Sequence, residues 1–205
     1  MRARARYHHG DLRPALLRSV ERIIKKQGLA FVSLREVARD AHVSHSAPAH
    51  HFGNKAGLLT AFATEGFARM GELAAAEMKK APQNGPDMLE ALGRGYVRFA
   101  IENPEHFGVM FRDEQLDTSS PEFSAAADRA YDLLTMVIRR CAGEGYLRGA
   151  DLEAVTAAAW AVAHGLATLW LGGRLRARAS DRDGVRVASR ALRAFVDGTV
   201  RATKK

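Results

Sequence analysis

An all-α fold of about nine helices is what this sequence predicts. Three observations carry the expectation. Apolar residues recur at helical spacing in almost every segment, and no stretch alternates convincingly as a strand. Breaks fall where Gly, Pro and Asn gather, as in Ala81-Pro82-Gln83-Asn84-Gly85-Pro86 and Asn103-Pro104. Between residues 33 and 55 a short capped helix, a tight turn and a second short helix follow one another, the layout of a helix-turn-helix.

The first helix is expected from about Asp11 to Lys26, with Leu12, Leu16, Val20, Ile23 and Ile24 on one face and Gly28 as its stop. Ser33 stands three residues before Glu36, the capping-box spacing that satisfies two free backbone donors. Leu34, Val37 and Ala38 form that helix's apolar face. His42 and Val43 make the turn, and Ser44 can cap the next helix. Pro48 falls within or just past that helix's first turn, where a missing N–H costs least.

A fourth helix, from near Lys55 toward Lys79, places Leu58, Leu59, Phe62, Phe67 and Met70 inward. Further helices are expected over Asp87 to Glu102, Glu105 to Phe111, and Pro121 to about Glu144, the last with Tyr131, Leu134, Val137 and Ile138 inward. Then come Asp151 to Leu171, an Arg-rich loop, and Val185 to about Ala202 with Val185, Ala188, Leu192, Phe195 and Val196 on its apolar face. In chain order this gives a three-helix head over 1–54, a connecting helix over 55–80 and a helical body over 81–205.

Charge is unevenly placed. Residues 1–60 carry 11 Lys and Arg against 4 Asp and Glu, and the other 145 carry 20 against 19, so +7 of the net +8 lies in the N-terminal third. Six of the eight His are there too. A basic head beside a near-neutral body suits a polyanion-binding module. His45, Ser46, His50 and His51 on the second short helix can donate to phosphates or base edges, so binding of double-stranded DNA is expected. Arg2, Arg4 and Arg6 form an arm spaced for phosphate or minor-groove contacts, or else a solvated tail.

The His cluster lacks a nearby acidic or Cys ligand, so no metal site is expected. No nucleophile elbow, HExxH or Gly-rich phosphate loop is found, and GNKAG lacks the Walker spacing, so neither an enzyme nor a cofactor is expected. Cys141, the one cysteine, excludes an intrachain disulfide and fits a reducing cytoplasm. The basic N-terminus has no apolar stretch behind it, which argues against a signal peptide.

Ala154 to Gly173 is uncharged but rich in Ala and Gly, a poor membrane segment beside a Leu-rich span, and no membrane partner is expected. A helix apolar on all sides must be covered on all sides. It lies at the centre of a bundle, or its second face meets another subunit, with the last two helices of each copy forming a homodimer interface. Phe99, His106, Phe107, Met110, Phe111, Met136, Trp160 and His164 either line a pocket for a hydrophobic small-molecule effector or are plain core.

The stretches YHHGDLRPALL, SLREVARDAHVS and APAHHFGNKAGLLTAFATEGF resemble the TetR family of bacterial regulators over roughly residues 7 to 70 without a gap. NPEHFGVMF and WAVAHGLATLW resemble the C-terminal domain named for a Trp-His-Gly signature, here Trp160, His164 and Gly165. The resemblance implies an all-α homodimer whose body binds a small molecule, which changes the spacing of two DNA-binding heads and releases a palindromic operator. It puts Ser33 and Arg35 near the phosphate backbone, Ser44 on a phosphate, and His45, Ser46 and Ala47 at base edges. Lys55 falls where the fourth helix meets a phosphate, and His51-Phe52 matches the family's usual pair, with Phe52 in the head's core. His42 replaces the usual turn Gly. Ala49 replaces a Tyr that reaches the DNA, a contact His50 and the arm Arg2, Arg4 and Arg6 can replace. A repressor is the reading these residues favour; the alternative is a small-molecule-binding helical protein with only non-specific DNA binding.

Overall fold

The computed structural model describes residues 12–203, so the arm with Arg2, Arg4 and Arg6 lies outside the described residues. Among the described residues nine α-helices follow in order: α1 (Leu12–Gln27), α2 (Leu34–Asp40), α3 (Ala47–Phe52), α4 (Lys55–Lys80), α5 (Gly85–Glu102), α6 (Pro104–Met110), α7 (Pro121–Gly143), α8 (Leu152–Leu171) and α9 (Gly184–Phe195). The α9 chain path continues as a π turn, Val196–Val200, and a 3-10 turn, Arg201–Thr203. No strand occurs among the described residues. The fold is all-α, as the helical spacing requires.

Helix starts are set by short polar side chains accepting free backbone N–H groups. Asn84 Oδ1 accepts from Asp87 N at 3.0 Å, and Pro86 sits in the first turn, so the expected break at 81–86 ends earlier and α5 begins at Gly85. Asp151 and Asp183 each accept two N–H groups, opening α8 and α9.

The chain packs as two compact units interleaved in sequence. Residues 12–65 with 105–124 form one, and 66–104 with 125–203 form the other. The sequence reading divided the chain in order at 54 and 80; by packing, α6 and the segment after it group with α1–α3. In the first unit Leu16, Val20, Ile23, Val32, Val37, Leu58, Leu59 and Phe62 are buried together, whereas Leu12 and Ile24 are only half-buried. The His106 ring stacks on Phe62 at 3.8 Å, and Thr60 Oγ1 accepts from Asp117 N at 2.8 Å.

In the second unit α5 is the central helix, packed on both α8 and α9. Its core includes Met78, Met88, Leu89, Leu134, Val137, Ile138, Leu147 and Val196. A Cβ at Gly95 would lie 2.6 Å from Ala74 Cα, so glycine lets α4 and α5 approach closely. Tyr131 departs from the expected inward face of α7: it is 42% exposed, and its ring meets Trp160 edge-on at 6.0 Å.

α8 is long and apolar enough to cross a membrane by length and composition, with 28% of its apolar window buried. Thr156, Ala159, Ala163, Ala167 and Trp170 face the core of their unit, while Ala157, Ala158, Trp160, Ala161, Thr168 and Leu169 are exposed. Among the described residues, therefore, α8 is covered on one side only, which departs from the expectation of a helix surrounded within a single subunit.

Candidate nucleic-acid interface

The site is built from α2, the turn after it, α3 and the first turn of α4. Ser33 is extended and its Oγ accepts from Glu36 N at 3.1 Å, which fixes where α2 starts. The second half of the expected capping box does not form: the Glu36 carboxylate pairs with Arg39, one turn along the helix. His42 takes the left-handed conformation (φ 57°), with its N–H donating to Arg39 O and Val43 N–H to Ala38 O, the bonds of a Schellman helix end. The position the family fills with Gly is thus left-handed here as well, and His adopts it.

The expected Ser44 side-chain cap is replaced by a backbone bond, Ala47 N to Ser44 O at 3.1 Å, with Ser44 Oγ 3.3 Å from Ser46 Oγ. The reason is that residues 44–46 turn before the helix begins, so α3 starts at Ala47. Pro48 then occupies the first turn and is buried. Ser44, His45, Ser46, Ala49, His50 and His51 are exposed, Ala47 is half-buried, and Ser33, Arg35 and Lys55 are exposed as well. The residues expected to meet DNA thus share the solvent side of one helix-turn-helix, Arg6 excepted because it lies outside the described residues.

Phe52 is only half-buried, and the Arg13 guanidinium sits 5.4 Å above its ring, so a cation–π contact replaces part of the expected core packing. Asn54 Oδ1 accepts from Gly57 N at 2.9 Å and caps α4 beside Lys55. A Cβ at Gly57 would lie 2.1 Å from Phe52 O. Arg22 pairs with Asp40 at 2.6 Å, tying α1 to the end of α2. Burial pushes the Asp40 carboxyl up, but the hydrogen bonds from Arg22 and Ser19 and the charges of Arg22 and Lys26 together outweigh it and hold the group below its ordinary range. Arg13, Arg22, Asn54 and Gly57 were missed by sequence reading. Only Asn54, a helix-capping residue immediately before Lys55, carried a local signal.

The eight body candidates divide between the two units. His106, Phe107, Met110 and Phe111 lie in the first; Phe107, Met110 and His106 are buried and Phe111 is half-buried against Phe107. His106 Nε2 is 3.8 Å from Glu65 Oε1. Phe99, Met136, Trp160 and His164 lie in the second: Phe99 is fully buried, whereas Met136 is 49% and Trp160 43% exposed. Tyr96, missed in the sequence, joins two of them. Its hydroxyl is hydrogen-bonded to His164 Nδ1 at 2.8 Å, and the indole N–H of Trp160, which can only donate, bonds to the same phenol. Burial lowers the His164 pKa and pushes that of the Tyr96 phenol up.

Comparisons with known proteins agree with this geometry. Residues 16–62 match the family model described as bacterial regulatory proteins, tetR family, and residues 89–201 match the tetracyclin repressor-like C-terminal domain. No curated protein matches the sequence. A solved structure of a protein of unknown function from Rhodococcus sp. RHA1 is similar at 30% identity and TM-score 0.82, covering 96% of this chain and 99% of that one. The TetR family regulator PfmR from Thermus thermophilus is similar at 21% identity and TM-score 0.65 (91% and 97% covered). The fatty acid degradation regulator FadR from Bacillus halodurans is similar at 13% and 0.75 (93% and 97% covered). These last two identities speak for the fold alone. With family models matched in both head and body, and a solvent-facing helix-turn-helix where the head model lies, the chain belongs to the TetR family and is a DNA-binding transcriptional regulator.

Proposed function

We propose that the chain is a cytoplasmic, homodimeric repressor that reads a palindromic operator and leaves it when a small hydrophobic effector binds its body. The observation that carries the reading is the exposure of Ser44, His45, Ser46, Ala49, His50, His51 and Lys55 on one short segment above a buried Pro48. Their chemistry supports Ser33, Ser44, His50 and Lys55, with Arg6 from the arm, as phosphate contacts, and His45, Ser46 and Ala47 as readers of base edges. Residues 1–54 act as the reader, 55–80 as the connecting helix, and 81–205 as the effector-binding and dimerisation body.

The exposed Ala157, Ala161, Trp160 and Leu169 on α8 support dimerisation through α8 and α9, because an apolar helix face of this extent is stable in water only when covered. Effector binding shifts the population toward a dimer geometry that cannot span both half-sites.

The test is fluorescence anisotropy of the purified protein on the DNA upstream of its own gene against a scrambled duplex, at fixed salt. A preference of ~10³ or more supports a sequence-specific regulator. Ala49, exposed and without a polar group, favours the second reading, a helical protein whose head binds DNA without sequence preference. Equal, salt-sensitive binding to both duplexes supports that reading instead.

A further inference from the structure

We infer that two buried carboxylates, Glu77 and Glu90, form with Arg94 and Arg193 an ionic relay that locks the 66–80 stretch of the connecting helix α4 to α9 through α5. Glu77 on α4 has a side chain 6% exposed, and it accepts from Arg94 Nε at 2.9 Å and pairs with Arg98 at 3.1 Å, both on α5, and with Lys80 at 3.3 Å. Arg94 turns its other end toward Glu90 at 3.6 Å, one helical turn back on α5. Glu90, also 6% exposed, meets Arg193 of α9 at 2.6 Å. The order is therefore Glu77, Arg94, Glu90, Arg193, with alternating sign across three helices.

Two features mark this as more than surface pairing. Exposed ion pairs contribute little, but these carboxylates are nearly out of water, where an unpartnered charge is costly and each member depends on the next. Apolar side chains of similar volume would hold the same helices at least as firmly, so the ionic solution is best accounted for by register: fixed charges accept one sliding position of α4 against α5, where a greasy contact accepts several. A second tie between α5 and the chain end, Arg201 with Asp87 and Asp197, shares no member with the relay. It serves as the internal control.

The relay predicts coupling between residues that do not touch. Arg193 is half in solvent, so Arg193→Gln folds, and its effect is read by hydrogen exchange at backbone amides of residues 66–80 in the full-length protein. Exchange there is expected to rise at least threefold in Arg193→Gln and to stay unchanged in Arg201→Gln. In a Glu77→Gln background, Arg193→Gln is expected to add nothing further at 66–80, because the chain is already broken. Distant, independent sites would instead multiply their effects. The inference is overturned if Arg193→Gln loosens only α9 and α5, if Arg201→Gln acts equally on 66–80, or if the Glu77 and Arg193 effects multiply. None of these readouts uses DNA, so they stand or fall separately from the repressor reading. That reading adds an arm of its own, a loss of operator preference in Arg193→Gln.

Discussion

His42 and Gly57 show opposite demands on the backbone of the head. A non-glycine residue at φ 57° carries a steric cost of about 1 kcal/mol or more, which glycine does not. His42→Gly should therefore stabilise the protein by up to about 1 kcal/mol in urea unfolding; a neutral or destabilising change would mean the imidazole makes a compensating contact. For Gly57, alanine would ordinarily favour a helix, but its Cβ would enter the Phe52 carbonyl at 2.1 Å. Gly57→Ala should destabilise by at least about 2 kcal/mol and cost DNA binding with it. Neither effect is visible in residue type alone, since a histidine in a turn and a glycine in a helix both look ordinary. Lys55 is exposed at the start of α4, and the phosphate assignment gives it a third outcome. Lys55→Ala should weaken all DNA sequences alike and lower the salt-dependence slope by about one unit. A loss confined to one sequence would contradict it.

At the scale of elements, α8 joins a tether to its unit with a face left bare. The tether is Trp160 and His164, one turn apart, on Tyr96 of α5. Because burial lowers the His164 pKa, the unfolded chain takes up its proton first as acid is added. The stability this site contributes is complete above about pH 6.5 and declines as pH falls below it. Thermal melts from pH 7.5 to 5.5 should show the melting point falling, and His164→Gln should remove part of that fall. An identical pH profile in the variant would deny the site that role. Asp40 and Glu77, whose folded pKa values are also lowered, lose their contributions only further into acid, below their ordinary values of 3.8 and 4.5, so the two windows separate. The bare face makes a different prediction. Leu169 is 48% exposed, and Leu169→Glu should shift the protein from dimer to monomer in sedimentation equilibrium while leaving its helical content intact. An unchanged assembly state would mean that this face of α8 is not the interface. The helix was legible in the sequence as uncharged over 154–173; which residues of it are bare was not, because every face of it is apolar.

For the whole molecule, charge asymmetry and helical spacing were legible from the chain alone, and so was the helix-turn-helix of the head with the Ser33 cap that opens α2. The corrections there are local ones, with Ser44 capping through its backbone and Glu36 turning to Arg39. The body was legible only as a series of helices. Tyr131 and Met136 sit at helical spacing with core residues yet are exposed, and Tyr96, 68 residues from His164, gave no sign of being its partner. Nor did spacing reveal that 105–124 packs with the first unit, or that Glu77, Glu90 and Arg193 converge. By itself, then, the sequence determined the all-helical class, the order of elements and the place of the helix-turn-helix, because period, caps and turn residues act between neighbours a few positions apart. The tertiary structure alone decided which faces are covered and which charges meet, because those contacts join residues dozens of positions apart, and which pair forms depends on how whole helices pack.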